Sequence, residues 1–222
     1  MSDFSLEPAE RKLTARRLTQ DFPVDAILEK TVWSESEQVI LLDTQSSTLP
    51  PMSVATKASL RWSNHYVYVA FWCHYSVLNV FEDEDTHTER WGLWNRDVAE
   101  IFLNPFPQTS HRYWEFEVSP NNQWIDLEIE NRDRVLPNST WNSGFTHATS
   151  LNERAGIWTC EMRIPVSSMG IQQIKAGMLW RVNFYRCEGK GDDSQRRFLA
   201  WSPTAQLNFH VPEKFGWVTM AD

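Results

Sequence analysis

Apolar and polar residues alternate in short runs from about residue 52 to the end of the chain, and many runs end at proline, glycine or asparagine. Because successive side chains of a β-strand point to opposite faces, this alternation predicts a series of short antiparallel strands. A short polar turn separates the first two, ATKASLRW and HYVYVAFWCH, which are predicted to form a hairpin. The remaining predicted strands are DVAEIFLNP, HRYWEFEVSP, WIDLEIEN, GIWTCEMRIP, MLWRVNFYRCE, RRFLAWSP and FGWVTM.

These strands predict an all-β fold in a single domain. About ten short strands with little helix between them are typical of an antiparallel β-sandwich, of the jelly-roll or immunoglobulin-like kind, or of an antiparallel barrel. A doubly wound α/β sheet would need helical crossovers, which the pattern lacks. We therefore predict one β-sandwich domain over residues 21–222. The charged residues 1–20 are predicted to form an N-terminal arm or a short helix.

Alternation also predicts one packed face and one polar face for several strands. In HRYWEFEVSP, Glu115 and Glu117 lie opposite the apolar side chains, and in WIDLEIEN the same holds for Asp126. In MLWRVNFYRCE, Arg181 and Asn183 are on the polar face. If these strands are neighbours, their polar faces form one solvent-facing surface that suits a hydroxyl-rich ligand. The alternative is a solvated sheet face with salt bridges.

Composition and charge exclude several classes of partner. Of the 222 residues, 41% are hydrophobic, which is enough to bury a core, and the formal net charge is −8. That charge argues against nucleic acid and anionic membranes as partners, and it leaves protein partners open. No apolar run approaches the roughly 20 residues of a membrane span. The N-terminal sequence lacks the apolar centre of a secretory signal, so we expect a cytoplasmic protein, or an extracellular one whose leader was removed.

Motifs for catalysis and metal binding are weak. The candidates for the carboxylate pair of a glycosidase are Glu100, Glu115, Glu117, Asp126 and Glu128. Alternating acids on a strand are mostly structural, however, and we assign no catalytic residue. The histidines lack the spacing of a zinc site. The acidic loop EDEDTH (82–87) is either a Ca²⁺ site or, as is more common, a solvated turn.

Two of the 12 tryptophans lie in a polar turn, where an indole is costly to expose. Trp91 and Trp94 directly precede the strand that contains Glu100. An indole face offers apolar contact to the C–H bonds of a sugar ring, and a nearby carboxylate bonds the hydroxyls. This combination indicates a carbohydrate site, although loop tryptophans that fold back over a core produce the same pattern.

An ordered set of motifs resembles the family 9 carbohydrate-binding modules, which are related to the DOMON-like β-sandwich superfamily. The motifs are LRWSNHYVYVAFW, LWNRDVAEIFLNP, YWEFEVSP, WTCEMRIP, WRVNFYR, AWSP and FHVPEKFGWV. The resemblance extends from about residue 22 to residue 220. It implies non-catalytic binding of an oligo- or polysaccharide such as xylan, in a bacterial system of polysaccharide catabolism. It also implies structural Ca²⁺, for which the motifs assign no ligands.

The resemblance further implies that a terminal sugar lies between two aromatic rings. Trp94 matches the first ring and is expected to be exposed as a wall of the sugar slot, with Trp91 supporting the same loop. Phe209 matches the second ring, at a position where the modules have tryptophan. Glu100 matches the glutamate that bonds sugar hydroxyls. The other candidate polar contacts are Glu117, which stands where the modules have arginine, Arg181, Asn183, and Gln206, which matches an amide three residues before the second ring.

Two other functions remain open at this point. A small glycosidase or lyase would use the acidic face of the sheet. A haem-binding electron-transfer domain, as in related sandwiches, would hold haem between His210 and a methionine.

Overall fold

The computed structural model describes residues 10–82 and 85–222, and most of its elements are β-strands. In chain order, the strands β1 to β14 of this part are Lys12–Arg17, Gln38–Ile40, Leu42–Asp43, Thr56–Trp62, Tyr66–His74, Val98–Asn104, Arg112–Val118, Trp124–Asn131, Val135–Asn138, Thr146–Asn152, Ile157–Pro165, Leu179–Glu188, Arg197–Ala200 and Gly216–Ala221. The helical elements are α1 (Thr31–Ser34) and the 3₁₀ turns Met52–Val54, Leu93–Asn95, Val166–Met169, Asp193–Gln195 and Pro212–Lys214. None of these described helices is long and apolar enough to cross a bilayer.

The strands form one sheet that curls on itself into a sandwich. Their hydrogen-bonded order is β10-β11-β5-β4-β1-β14-β12-β6-β7-β8-β9, with β2 beside β4 and β13 between β12 and β3. The first two predicted strands pair as the antiparallel hairpin β4–β5. β1 is parallel to both β14 and β4, and it thereby joins the two layers. The prediction of an all-β antiparallel sandwich is confirmed.

β1 corrects the prediction of an arm or a short helix over residues 1–20. Residues 12–17 pair with β14 over five positions, from Lys12 opposite Trp217 to Arg16 opposite Ala221. Leu13 and Ala15 are buried in the core while their neighbours face solvent. The segment is short and half of its residues are charged, which hid this period of two. Residues 1–9 lie outside the described residues.

The core lies between the two layers. We call it the interior cluster, and it includes Val69 and Phe71 of β5, Ile101 of β6, Phe116 of β7 and Phe184 of β12. The rings of Phe71 and Phe184 meet edge to face across the layers, with their centroids 5.8 Å apart. Burying this apolar area is the main source of stability in a sandwich.

The polar face predicted for β7 and β12 is not open to solvent, which corrects that expectation. A second apolar group, the outer cluster, covers it, and its members include Leu93, Phe102, Tyr113, Leu127, Tyr185, Phe198, Phe209 and Phe215. Glu115, Glu117 and Asn183 are consequently buried. The predicted acidic face is also divided, because Asp126 pairs with Phe116 and therefore faces the interior side of the sheet.

Gly216 opens β14 at a place with no room for a side chain. A Cβ there would lie 2.4 Å from Cζ3 of Trp201 and 3.1 Å from the carbonyl oxygen of Arg11. We predict that Gly216→Ala lowers the free energy of unfolding by about 1–3 kcal/mol, measured by urea denaturation, because the core must shift to admit the methyl group. In a Trp201→Phe background the same substitution should cost less. An equal cost in both backgrounds would contradict this steric explanation.

His147 on β10 is packed among aromatic rings, 5.6 Å from Trp124 and 5.1 Å from Phe145 between centroids. Burial lowers the pKa of His147 to about 4, whereas an unfolded histidine titrates near its model value of 6.5. The neutral ring therefore stabilises the fold above pH 6.5, and this contribution is lost as the pH falls towards 4. Between pH 7 and 4 we expect the wild type to lose about 1–3 kcal/mol more unfolding free energy than His147→Gln. Urea denaturation across this range would contradict the explanation if both proteins lost stability in parallel.

Candidate functional site

A pocket of about 320 Å³ lies on the outer face of β6, β7, β8 and β12. This volume is at the small end of the roughly 300–1,000 Å³ that ligand pockets occupy. Four of the residues predicted to form the sugar site line it: Trp91, Trp94, Glu100 and Phe209. The other lining residues are Asn95, Phe102, Glu115, Leu127, Ile129, Val135, Pro137, Cys187, Asp193, Arg196, Phe198, Leu207 and His210.

The two tryptophans form an edge-to-face pair in the turn before β6, with centroids 5.0 Å apart and planes at 79°. Gly92 between them has φ 79°, a left-handed conformation that glycine adopts without strain, and it starts the turn that buries Leu93. Trp91 is 56% exposed, whereas Trp94 is partly buried against the outer cluster. The exposure is therefore the reverse of the expected one, in which Trp94 was the open wall and Trp91 its support.

Arg196 holds the tryptophan turn in place. Its nearly buried guanidinium donates to the carbonyl oxygens of Trp94 and Arg96 and lies 3.5 Å from the Asp193 carboxylate. It also lies over the ring of Phe198, 4.9 Å from the centroid. We did not predict this residue, because nothing in the local sequence distinguishes it from its exposed neighbour.

The Phe209 ring is packed against protein, whereas the sequence predicted a ring open to a sugar. It stacks on Tyr185 with centroids 4.1 Å apart and planes at 15°, and only 7% of the residue is exposed. The Tyr185 hydroxyl donates to the carbonyl oxygen of Phe209 over 3.0 Å. The phenylalanine ring therefore reaches the pocket, but most of its surface is already occupied by protein.

Three glutamates lie together at one side of the pocket, and we call them the glutamate triad: Glu100, Glu115 and Glu117. Glu100 on β6 is directly opposite Glu117 on β7, and Glu115 follows on the same face. One oxygen of each lies within 4.8 Å of the others. All three residues are buried, and Glu100 and Glu115 line the pocket.

Burial and mutual repulsion change the charge of the triad. Burial, followed by the charge of Glu115, raises the pKa of Glu100 to about 8. Burial, followed by the charges of Glu100 and Glu115, raises the pKa of Glu117 well above its usual range. The Cys187 thiol donates to Oε1 of Glu100 over 3.2 Å. At pH 7 Glu100 and Glu117 therefore retain protons, and the pocket offers both donors and acceptors to a hydroxylated ligand.

Arg181, Asn183 and Gln206 do not line this pocket. Arg181 donates to the carbonyl oxygen of Glu213 over 2.7 Å. The buried Asn183 side chain donates to the carbonyl oxygen of Ser202 over 2.7 Å and accepts from its N–H over 2.9 Å. Gln206 is exposed outside the pocket. Arg181 and Asn183 therefore fix the segment between β13 and β14.

The geometry around His210 does not support the haem hypothesis. Its Nδ1 lies 2.8 Å from the Tyr113 hydroxyl, in the outer cluster's half of the structure. Met162, Met169 and Met220 belong to the interior cluster, on the other side of the sheet. Of the other described methionines, Met178 packs against that cluster and Met52 is exposed.

The acidic loop 82–87 lies partly outside the described residues, which omit 83 and 84. Its described part forms a turn in which Asp85 accepts from the N–H of His87 over 2.8 Å and from the Thr88 hydroxyl over 2.6 Å. Whether the loop is a Ca²⁺ site or a solvated turn stays an open expectation.

Comparison with known proteins gives one family and several related structures. Residues 24–222 match the model of the family described as carbohydrate family 9 binding domain-like. A presumed carbohydrate-binding protein of Bacteroides uniformis superposes with a TM-score of 0.73 at 19% identity, over 96% of this chain and all of that one. A family 9 carbohydrate-binding module of Caldicellulosiruptor kristjanssonii, solved with cellotriose, superposes with a TM-score of 0.67 at 17% identity, over 95% of this chain and 94% of that one. At these identities the structures show the fold alone.

A curated relative is the "Extracellular protein" of Arthroderma benhamiae. It is 28% identical over 134 residues, and the match covers 55% of this chain. The chain spans 60% of that relative's length.

Truncating Phe209 and Trp91 should distinguish a ring that is packed in the fold from a ring that is exposed on the surface. We predict that Phe209→Ala lowers the free energy of unfolding by about 3–5 kcal/mol, because it empties the site stacked on Tyr185. Trp91→Ala should cost less than about 1 kcal/mol, since the exposed indole loses mainly its contact with Trp94. Urea denaturation of both variants measures the difference, and similar losses would contradict the assigned packing.

Proposed function

This chain belongs to the carbohydrate family 9 binding domain-like family, and from that premise we propose that it binds an oligosaccharide without cleaving it. The pocket beside the tryptophan turn is the proposed site. Trp91 supplies the exposed aromatic face, and Trp94 holds it from the edge. Glu100 and Glu115 supply the polar contacts to sugar hydroxyls.

The observation that supports this most is an exposed indole next to buried carboxyls in one small pocket. A pyranose has C–H bonds that pack on an aromatic face and hydroxyls that need hydrogen-bond partners. A solvent-exposed tryptophan has no structural reason to be 56% exposed, since its burial would stabilise the fold. A ligand that covers the ring would recover this free energy on binding.

The size and charge of the pocket suggest which sugars it takes. A volume of about 320 Å³ suits one terminal sugar unit better than a long run of the chain. In the metal-free pocket the acids at its side disfavour uronic acids, because their carboxylates would lie beside glutamates that retain part of their negative charge. Neutral oligosaccharides are therefore the proposed class. The Caldicellulosiruptor modules solved with cellotriose and glucose make glucose-based oligosaccharides the first to test, and xylose-based ones the second.

Calorimetry with cellotriose, xylotriose and a galacturonic acid trimer tests this proposal. With the protein freed of divalent metal, we expect binding of at least one neutral trimer and none of the acidic one. Trp91→Ala should weaken that binding at least tenfold, which corresponds to about 1.4 kcal/mol of lost stacking. Trp94→Ala should weaken it as well, because the edge contact that orients Trp91 is lost.

The matched control is Trp217→Ala, which removes a partly exposed indole that lies outside this pocket, beneath Arg181. Its affinity should equal that of the wild type. Binding that survives loss of both turn tryptophans, or a flat response to every neutral trimer, would overturn the proposal.

A further inference from the structure

The glutamate triad is arranged like the ligand set of a cation. Its nearest carboxylate oxygens, one from each of Glu100, Glu115 and Glu117, lie within 4.8 Å of one another. Two oxygens on opposite sides of a Ca²⁺ ion, with bonds of about 2.4 Å, are separated by about 4.8 Å. One ion could therefore contact all three carboxylates from the space between them.

The hydrogen bonding of Glu117 points to a missing partner. The residue is completely buried, and within the described residues neither of its carboxylate oxygens has a hydrogen-bond partner outside the triad, where its neighbour is the carboxyl of Glu115. Oε2 of Glu115 is buried and unpartnered in the same way. Buried polar groups are nearly always paired, because leaving them without a partner costs free energy.

Glu161 shows how this protein pairs a buried glutamate that has a structural role. Its carboxylate is fully buried and accepts from Lys30 Nζ over 2.7 Å, from Trp33 Nε1 over 2.7 Å, and from the backbone N–H groups of Asp25 and Ala26. The triad has no comparable set of donors among the described residues. Arg196 is close enough to influence the charge of Glu100, but its described hydrogen bonds go to the carbonyl oxygens of Trp94 and Arg96 and to the carboxylate of Asp193.

We propose that the glutamate triad binds one divalent cation at the side of the pocket, and that the ion is Ca²⁺. Three carboxylates are hard oxygen ligands, which favour Ca²⁺ and Mg²⁺ over softer metals. Mg²⁺ keeps several waters and requires a near-ideal octahedron, whereas Ca²⁺ accepts six to eight oxygens in flexible geometry. The triad supplies between three and six oxygens, depending on how many carboxylates are bidentate. The remaining positions face the pocket, where water reaches Glu100 and Glu115.

A consequence for ligand binding rests on the proposed function. Coordination positions that face the pocket are available to sugar hydroxyls, so the ion would strengthen sugar binding. Titration with the metal alone tests the site separately. A failed metal titration leaves the sugar proposal standing, and a failed sugar screen leaves the metal site standing.

The test uses the whole chain, freed of metal with a chelator and titrated with CaCl₂ by calorimetry. We expect about one site per chain, and saturation should raise the Tm by about 3 °C or more. Glu117→Gln should weaken Ca²⁺ binding at least tenfold, because the amide replaces one anionic ligand. Glu115→Gln provides a second variant with the same expectation, should Glu117→Gln fail to fold.

Two carboxylates outside the triad serve as controls. Glu130→Gln changes an exposed acid on the neighbouring strand β8, and Asp85→Asn changes the acidic loop. Both should bind Ca²⁺ like the wild type. Absence of binding and of a Tm shift at millimolar CaCl₂ would overturn the proposal in favour of carboxyls that share protons. Loss of binding in Asp85→Asn with retention in Glu117→Gln would overturn it by placing the ion in the loop.

Discussion

Hydrogen bonds from one face of β12 hold the segment between β13 and β14 against the sheet, and the pocket depends on them. Asn183 exchanges two bonds with Ser202, Tyr185 donates to the backbone of Phe209, and Arg181 donates to that of Glu213. These contacts seat the rings of Phe209 and Phe215 on a face that would otherwise be wet. These side chains cover the face, so that a pocket forms where the strands would otherwise be open to solvent. The same apolar cover buries the glutamates of β6 and β7.

The electrostatics of the site follow from this cover. Acids that alternate along an exposed strand would remain ionised at little cost in folding free energy. Under the cover, Glu100 and Glu117 face each other across one strand pair, and burial raises the pKa of both carboxyls. Glu161 is also buried, but its carboxylate accepts hydrogen bonds from Lys30 and Trp33. The fold can therefore provide donors to a buried glutamate. Glu115 and Glu117, in contrast, keep buried oxygens without a donor on the face of the sheet that carries the pocket.

Much of the fold could be predicted because the longer strands bury one face, and burial imposes a period of two on their residues. Those strands, their hairpins and the sandwich class were all accessible in this way, and the ordered motifs gave the correct family. Strands such as β3 and β9 are too short or too exposed to show a period, and β1 was hidden by its charged residues. The aromatic turn was accessible from composition, because tryptophan is rare in polar segments. The exchanged exposure of Trp91 and Trp94, and the role of Arg196, depend on long-range packing that a local pattern does not encode.

The resemblance matches Phe209 and Glu117 to a tryptophan and an arginine of the modules; Phe209 lines the pocket, and Glu117 lies next to its glutamates. Phe209 is stacked on Tyr185 and buried, whereas Trp91 is the exposed aromatic side chain of the pocket. Glu117 lies directly opposite Glu100, where the arginine implied by the resemblance would have neutralised the carboxylate. Charge at that position must then be compensated by protons or by a bound ion. Under the proposed function, selectivity would depend on how the side of this pocket is neutralised, while the sandwich that supports it stays the same.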